Sequence, residues 1–135
     1  MLLEKSKGSW YNVYWRYMKI LVTGYKGYIG LRLYNKLKSE GHSLIGIDLK
    51  DGLDITSYNF SENIDCVFHL AALPSVQFST ENPSYSLKHN VLGTSKALEI
   101  AKRCGAKRFI FSSSAAIYGN DGFPSSPYGL HKLLS

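Results

Sequence analysis

A tyrosine, a lysine and a run of serines are the residues of this 135-residue sequence with the most specific chemistry. Tyr128 and Lys132 stand four apart in YGLHK, a spacing that puts both side chains on one face of a helix. A neighbouring ammonium favours the phenolate of such a tyrosine, which helps it exchange a proton near neutral pH. A serine from SSSAAIYG, residues 112–119, could hydrogen-bond the substrate oxygen. The set predicts proton transfer at an alcohol or carbonyl, although a Tyr–Lys pair alone is also a common surface pair.

Three glycines between an apolar run and a helical pattern form a second candidate site. In ILVTGYKGYIG, Gly24, Gly27 and Gly30 follow an expected strand and open an expected helix. In a dinucleotide-binding loop the first glycine permits a tight turn, the second admits a pyrophosphate and the third lets helix pack on strand. The helix N-terminus adds free N–H groups for that anion. Because the spacing is GxxGxxG, the motif alone leaves a turn with incidental glycines as an equal alternative.

An acidic residue at the end of the second apolar run supports the nucleotide interpretation. Asp48 ends SLIGID, 18 residues after Gly30, close to the separation of about 20 at which an acid binds the ribose hydroxyls of a dinucleotide. An acid there repels a 2′-phosphate and favours NAD over NADP, while Lys26 and Lys50 moderate that preference. Joined to the tyrosine and the lysine, this pattern predicts hydride transfer to or from a nicotinamide.

Apolar runs alternate with helical periodicity along the chain and must position these groups. The segments KILVT, SLIGID, DCVFHLAA and KRFIFSSS predict strands, and LDI at 53–55 predicts a very short additional one. Helices are expected over Tyr28–Ser39, over residues 83–103 and from near Tyr128. The strands are apolar on both faces, which predicts an α/β fold: a doubly wound, Rossmann-type parallel sheet of about five strands.

Composition restricts the other classes of function. The chain is 44% hydrophobic and 19% charged without an apolar run long enough to cross a bilayer, so we expect no membrane span. The net charge of +6 is spread along the sequence. Its one cluster, at residues 102–108, surrounds an expected helix C-terminus, where cations complement the helix dipole. We expect no nucleic-acid partner, although the basic surplus and an aromatic N-terminal arm leave this alternative open.

The two cysteines and the first 17 residues complete the domain-level expectations. Cys66 and Cys104 lie in apolar or helical contexts without metal-ligand spacing, which predicts buried thiols in a reducing, cytoplasmic compartment, with no disulfide and no metal site. Residues 1–17 include the aromatic segment GSWYNVYWRY and lack the pattern of a secretory signal. We expect a poorly ordered extension over 1–17 and one nucleotide-binding domain over 18–135.

The order of these segments resembles the extended short-chain dehydrogenase/reductase family, and within it the NAD-dependent nucleotide-sugar epimerase branch typified by UDP-glucose 4-epimerase. The resemblance rests on VTGYKGYIG, LDI, FHLAAL, NVLGT, FIFSSSAAIYG and SPYGLHK, in family order across residues 20–132. It implies that a tyrosine takes a hydroxyl proton while hydride passes to tightly held NAD, and that the keto-sugar is then reduced on its other face. Dehydratase relatives usually carry an acidic pair where this chain has Ala115 and Ala116, which argues against dehydration.

The same resemblance assigns roles to individual residues. Ser114 would be the catalytic serine, Tyr128 the acid/base, and Lys132 would hold the ribose while tuning Tyr128. Asp54 with Ile55 would contact the adenine, and the start of the first helix would face the pyrophosphate. The full set implied to bind NAD comprises Gly24, Gly27, Tyr28, Ile29, Gly30, Asp48, Asp54, Ile55, Leu70, Ala71, Ala72, Asn90, Tyr128 and Lys132.

Members of that family run to more than twice this length. The resemblance therefore implies an N-terminal part that lacks the C-terminal substrate domain, with weak NAD binding and little turnover by itself. It also implies a nucleotide-sugar substrate for the completed enzyme and, as one arrangement open to the chain, a homodimer through the long helix. The alternative function is a non-catalytic NAD-binding sensor or scaffold. His69 and His131 are interpreted as structural, because the family needs neither as a base.

Overall fold

The computed structural model describes residues 17–135, which are built around a parallel sheet of four strands. In chain order the strands are β1 (Lys19–Thr23), β2 (Ser43–Ile47), β3 (Cys66–His69) and β4 (Arg108–Phe111). The α-helices of this part are α1 (Tyr28–Ser39), α2 (Val76–Glu81), α3 (Pro83–Leu87), α4 (Gly93–Arg103) and α5 (Pro127–Leu134). The extension expected at 1–17 lies outside the described residues, apart from Tyr17.

The strand order β2-β1-β3-β4 places the first strand between the second and the third. All neighbours are parallel, and the register pairs Thr23 with both Ile47 and His69, and His69 with Phe111. The carboxyl ends of all four strands therefore lie along one edge of the sheet. Because the chain leaves β1 toward one side and later returns to its other side, this edge has the crevice where such sheets bind ligands.

Both faces of the sheet are covered, as the two-sided apolar character of the strands predicts. Successive β1 side chains point to opposite faces. Leu21 packs in a core cluster with Ile100 of α4, whereas Ile20 and Val22 pack in a second cluster with Leu37 of α1. The doubly wound, Rossmann-type α/β fold is therefore confirmed.

The short strand expected at 53–55 is absent, so the prediction of a strand there is wrong and the described sheet has four strands. The carbonyl oxygen of Asp48 accepts a hydrogen bond from the N–H of Leu53 at 3.2 Å, which turns the chain back toward β2. The Asp54 carboxylate then accepts from the N–H and the hydroxyl of Thr56 at 2.9 and 2.8 Å. Local side-chain bonds thus compete with the bonds that a strand would make to a neighbour.

The helical regions agree with the expectation in outline and differ in detail. The long helix predicted over 83–103 is present, but a π-helical turn at Lys88–Leu92 separates α3 from α4. The sequence pattern did not predict α2, which is capped by the Ser75 hydroxyl accepting from the Phe78 N–H at 3.0 Å. The last helix begins at Pro127, one residue before the expected start.

Both cysteines lie in the core. Cys66 in β3 is 4% exposed and Cys104, directly after α4, is 1% exposed, and both are free thiols. Across residues 17–135, no helix combines the length and the apolar character needed to cross a membrane. The same residues contain no group of three or more His, Cys, Asp or Glu side chains placed to hold a metal ion.

Candidate functional site

The loop after β1 depends on residues that lack a side chain. Gly24 has a φ of 71°, and a Cβ atom there would lie 2.7 Å from the nitrogen of Ala71. A Cβ atom at Gly30, in the first turn of α1, would lie 2.1 Å from the Gly24 carbonyl oxygen, and one at Gly27 would lie 3.2 Å from it. Glycine therefore allows the loop to lie against the segment after β3 and allows α1 to pack on the loop.

The N-terminus of α1 is open for an anion. Gly27 is its N-cap, and no side-chain hydrogen bond caps the helix. The first helical bond runs from the Leu31 N–H to the Gly27 carbonyl at 2.9 Å, so the preceding amides have no intrahelical acceptor. Tyr28 and Ile29, which are implied to face a pyrophosphate, are 78% and 61% exposed. Exposed N–H groups at the positive end of a helix are the feature that binds phosphate groups.

Asp48 directly follows β2, and its carboxylate is joined to the glycine loop. One carboxylate oxygen accepts from the N–H of Lys26 at 2.9 Å, and the other accepts from the N–H of Lys50 at 2.9 Å. The Lys50 ammonium donates to the Lys26 carbonyl at 3.1 Å. A carboxylate acceptor and a cation thus lie side by side at the carboxyl end of β2.

A second acid, Asp51, binds the glycine loop and does not line the cleft. The Tyr25 hydroxyl donates to one carboxylate oxygen of Asp51 at 2.6 Å, and the Lys26 ammonium pairs with the other. Hydrogen bonds from Lys26, and to a lesser extent from Tyr25, lower the pKa of the Asp51 carboxyl. Because Asp51 neutralises Lys26, that lysine contributes less positive charge toward a 2′-phosphate than its sequence position alone suggests.

Asp54 and Ile55 stand where the chain passes from β2 toward β3. Burial raises the pKa of the Asp54 carboxyl, but hydrogen bonds from Thr56 and Lys88 outweigh that effect and leave the pKa below its ordinary value. The Lys88 ammonium lies 3.3 Å from the Asp54 carboxylate. Ile55 is 5% exposed and belongs to the core cluster under α4. The pair therefore combines an ionised carboxylate with an apolar surface.

The segment after β3, residues 70–73, forms the opposite wall of the cleft. Its first N–H, that of Leu70, donates to the Thr23 carbonyl at 3.1 Å. At its other end, the Asn90 side chain accepts from the Leu73 N–H at 2.8 Å and donates to the Leu73 carbonyl at 3.2 Å. Asn90 is 1% exposed, so the structure engages its amide in holding this wall.

A cleft of about 250 Å³ lies between the glycine loop and this wall. Apolar walls with a few polar groups are typical of nucleotide and cofactor pockets. The residues implied to bind NAD that line it are Gly24, Gly27, Asp48, Asp54, Ile55, Leu70, Ala71 and Ala72. The remaining lining residues are Ile47, Leu49, Lys50, Leu53, Leu73 and His89.

Among these additional lining residues, Ile47 ends β2, and Leu49 and Lys50 follow within three residues, a position that could have predicted them. His89 is different, because it lies in the π-helical turn Lys88–Leu92. A π-helical turn changes the phase of a helix, so ordinary helical spacing does not predict which side chain reaches the cleft. His89 is 6% exposed, and burial lowers its pKa although Asp54 acts in the opposite direction.

Ser114 and Tyr128 lie on two elements that are in contact. The Ser114 hydroxyl accepts from the Ala116 N–H at 3.2 Å and caps a short 3₁₀ turn. A Cβ atom at Gly129 would lie 2.4 Å from the Ala116 carbonyl oxygen, so α5 packs directly on this turn. Tyr128 is 9% exposed, and its N–H donates to the hydroxyl of Ser79 at 3.0 Å.

Lys132 is buried next to the end of β4. It is 6% exposed, and burial lowers its pKa to about 8. Its Nζ atom lies 4.2 Å from the centroid of the Phe111 ring, a contact that stabilises the ammonium. The α5 helix, which carries Tyr128 and Lys132, thus packs on the turn that Ser114 caps after β4, and none of the three residues lines the 250 Å³ cleft.

The two histidines interpreted as structural are both buried and hydrogen-bonded. His69 is 0% exposed and His131 is 4% exposed. The Nδ1 atom of His131 lies 3.1 Å from the Ser86 hydroxyl. Burial lowers the pKa of both rings, to about 4 for His69.

The chemistry of the cleft fits a dinucleotide. Gly24 and Gly27 keep the loop free of side chains where a Cβ atom would meet backbone. The uncapped start of α1 provides N–H donors for a diphosphate, and Asp48 provides acceptors for ribose hydroxyls. All three features lie at the crevice formed where β1 separates from its two neighbours.

Comparison with known proteins agrees with this geometry. A model of the NAD dependent epimerase/dehydratase family matches residues 20–135. The chain is 32% identical to the uncharacterized UDP-glucose epimerase YtcB of Bacillus subtilis (strain 168), over 86% of this chain and 49% of that protein. It is also 32% identical to the UDP-glucose 4-epimerase of Erwinia amylovora, over 87% of this chain and 46% of that protein. The chain spans about half the length of these curated relatives.

A solved structure shows the same similarity in three dimensions. The structure of MoeE5 in complex with UDP-glucose and NAD matches with a TM-score of 0.77 and 34% sequence identity. The match covers 86% of this chain and 46% of that chain.

Proposed function

Because this chain belongs to the NAD-dependent epimerase/dehydratase family, we propose that it is the NAD-binding part of a nucleotide-sugar epimerase. Two observations support this class of substrate and cofactor. The similar proteins of Bacillus subtilis and Erwinia amylovora are named as UDP-glucose epimerases, and the structure of MoeE5 is a complex with UDP-glucose and NAD. The cleft between the glycine loop and residues 70–73 holds the NAD, and the sugar lies toward α5.

The cleft holds NAD through three kinds of group. The free amides at the start of α1 bind the diphosphate, which can approach closely because Gly24 and Gly27 carry no side chain. The Asp48 carboxylate accepts from the adenosine ribose, and its negative charge disfavours a 2′-phosphate. Asp54 and Ile55 border the adenine, the former through its carboxylate and the latter through its apolar side chain.

Ser114, Tyr128 and Lys132, which follow β4 in the chain, carry out the proton transfer. When bound, NAD supplies a reversible acceptor for hydride. Tyr128 takes the proton of the reacting hydroxyl and returns it later, while Ser114 hydrogen-bonds the same oxygen. With its pKa at about 8, Lys132 is mostly protonated at neutral pH. Lys132, one helical turn from Tyr128, therefore carries the positive charge that the mechanism assigns to assisting this tyrosine and to binding the cofactor ribose.

The packing of α5 on the Ser114 turn is the observation that carries this proposal. Through Gly129 it brings the tyrosine and the lysine to the edge of the sheet that also carries the glycine loop. The test measures NAD affinity by calorimetry and then, with the chain joined to the remaining half of a relative, the appearance of reduced nicotinamide when UDP-glucose is added. Tyr128→Phe should bind NAD as the unchanged chain does and lose roughly 100-fold or more of the sugar-dependent signal. Equal signals from both proteins would refute the acid/base role.

A non-catalytic NAD-binding sensor or scaffold is the second candidate function. It is favoured by the position of Ser114, Tyr128 and Lys132, none of which lines the 250 Å³ cleft. Under this alternative NAD binds, and no nucleotide-sugar produces reduced nicotinamide even when the chain is joined to the remaining half of a relative. Sugar-dependent reduction in such a fusion supports the epimerase.

The proposal includes a homodimer through the long helix. Leu87, Leu92 and Leu98 along this helix are 46%, 41% and 46% exposed, which leaves apolar surface for a second copy. Sedimentation of the chain at increasing concentration should then show a dimer. Substitution of Leu98 by Lys should shift the equilibrium to the monomer.

A further inference from the structure

A buried series of hydrogen bonds joins the ends of β1 and β3 to the long helix, with His69 at its centre. Its Nδ1 atom lies 2.7 Å from the Thr23 hydroxyl oxygen, and its Nε2 atom lies 3.0 Å from the Thr94 hydroxyl oxygen. Thr94 in turn donates to the Asn90 carbonyl at 2.7 Å. The Thr23 oxygen accepts from the N–H of Ala71, in the wall of the cleft, at 3.2 Å.

These partners allow only one tautomer of the neutral imidazole. A carbonyl oxygen only accepts, so the single hydroxyl proton of Thr94 points to Asn90. Thr94 must then accept from Nε2 of His69, which therefore carries the ring proton. Nδ1 is left as an acceptor and takes the hydroxyl proton of Thr23, whose oxygen remains available for the N–H of Ala71.

We propose that His69, as the neutral Nε2–H tautomer, is a positioning residue that sets the cofactor-binding wall at residues 70–73. It acts through Thr23, whose hydroxyl it orients toward itself so that the oxygen can hold Ala71. The inference rests on the proposed binding of NAD in this cleft.

Two further contacts support this role. A Cβ atom on Gly24 would lie 2.7 Å from the Ala71 nitrogen, so the wall and the glycine loop already touch and a small shift of the wall changes the cleft. The other end of the wall is held by the Asn90 side chain at Leu73, and the Asn90 carbonyl receives the Thr94 hydroxyl. The series therefore reaches both ends of the wall.

A purely structural role is the competing explanation. The His69 ring lies 5.9 and 6.0 Å from the rings of Phe109 and Phe111, so it also packs as an aromatic side chain. His69→Phe retains the ring and removes both hydrogen bonds. Thr23→Val removes the acceptor for Ala71 and keeps the side-chain shape, and Thr23→Ser retains the hydroxyl.

The experiment measures NAD affinity by calorimetry for the full chain and these variants, with circular dichroism to establish folding. We expect Thr23→Val and His69→Phe to bind NAD roughly tenfold more weakly, and Thr23→Ser to restore binding to within roughly threefold of the unchanged chain. Unchanged affinity in the folded Val and Phe variants would overturn the inference, whereas no NAD binding by the unchanged chain would refute the proposed function itself.

A spectroscopic measurement on the unchanged protein keeps the inference testable if a variant does not fold. The ¹⁵N signals of the His69 ring should show a protonated Nε2 and an unprotonated Nδ1 at neutral pH. A protonated Nδ1, or a ring carrying both protons at neutral pH, would overturn the assignment.

Discussion

The Nζ atom of Lys132 lies 4.2 Å from the centroid of the Phe111 ring. Phe111 is the last residue of β4, so the strand end supports the lysine that the proposed mechanism needs as a cation. Burial lowers the pKa of Lys132 to about 8, and the face of the ring acts in the opposite direction because it stabilises the ammonium. The charge that the proposed mechanism assigns to Lys132 therefore depends on a residue that does no chemistry itself.

Phe111→Leu should lower the pKa of Lys132 further, by roughly 0.5 to 1. Leucine keeps the surroundings apolar but removes the face of the aromatic ring. The measurement is a pH titration of the Lys132 side-chain signal by NMR. Phe111→Tyr, the matched control, keeps the aromatic face and should leave the pKa of Lys132 at about 8. A pKa that does not fall in the leucine variant would show that the ring does not stabilise the ammonium.

The free energy of unfolding should decrease as the pH falls from 6.5 toward 4. Burial, with a contribution from the facing Lys132 charge, lowers the pKa of His69 from 6.5 to about 4. Between pH 6.5 and pH 4 the His69 ring binds a proton in the unfolded chain and not in the folded chain, so acid favours unfolding. The neutral ring contributes its full share of the free energy of unfolding above pH 6.5, and about 3 kcal/mol of it is lost as the pH falls to 4. His89 and His131, whose pKa values burial also lowers, act with the same sign.

Urea unfolding at pH 7 and at pH 4.5 measures this dependence. His69→Asn places an acceptor near the position of Nδ1 and does not titrate, so the difference between the two pH values should shrink and not vanish. If the free energy of unfolding of His69→Asn changed between pH 7 and pH 4.5 by as much as that of the unchanged chain, His69 would not be the group whose pKa differs between the folded and unfolded states.

Gly30→Ala should destabilise the fold by roughly 1 to 3 kcal/mol. Its Cβ atom would lie 2.1 Å from the Gly24 carbonyl oxygen, which is backbone and cannot move without distorting the loop. Gly93→Ala in α4 is the matched control, because the nearest atom to its Cβ is the end of the Ile55 side chain at 3.3 Å and alanine favours a helix by about 1 kcal/mol. Urea unfolding should give Gly30→Ala a clearly lower free energy of unfolding than Gly93→Ala. Equal values for the two variants would contradict the close packing of α1 on the loop.

Asp48→Asn should weaken NAD binding roughly tenfold and reduce the preference for NAD over NADP. The change removes the negative charge that accepts from the ribose and repels a 2′-phosphate. Calorimetric titration with both nucleotides gives the ratio of affinities. As a second arm, Asp51→Asn releases the Lys26 ammonium from its partner and should strengthen NADP binding. A ratio unchanged by Asp48→Asn would contradict the placement of the ribose at this carboxylate.

Much of the fold could be predicted because parallel strands buried on both faces appear as nearly continuous apolar runs. The failure at residues 53–55 has a local cause. That segment contains the apolar residues of a strand, but the carbonyl of Asp48 and the carboxylate of Asp54 bond nearby backbone N–H groups and turn the chain. The short helix α2 was missed because its six residues are too few to show a period.

The lining of the cleft was predictable where it depends on position after a strand, as for Gly24 and Asp48. The bonds around His69 were not predictable. They join Thr23 and His69 across 46 positions, and His69 and Thr94 across 25, through single hydroxyl groups. No local period encodes such pairs, since any threonine near a strand end has the same chemistry until the register of the sheet is known.

An NMR titration of the ¹⁵N-labelled chain with NAD tests the central claim most directly. Saturable shifts should concentrate in the amides at both walls of the cleft and at the start of α1, namely residues 24–29, 48–50, 54–55 and 70–73. The amides of the last turn of α4, on the far side of the molecule from the loop, should remain unchanged. Binding that shifts other amides and leaves residues 24–29 and 70–73 unperturbed would contradict the placement of the dinucleotide in this cleft.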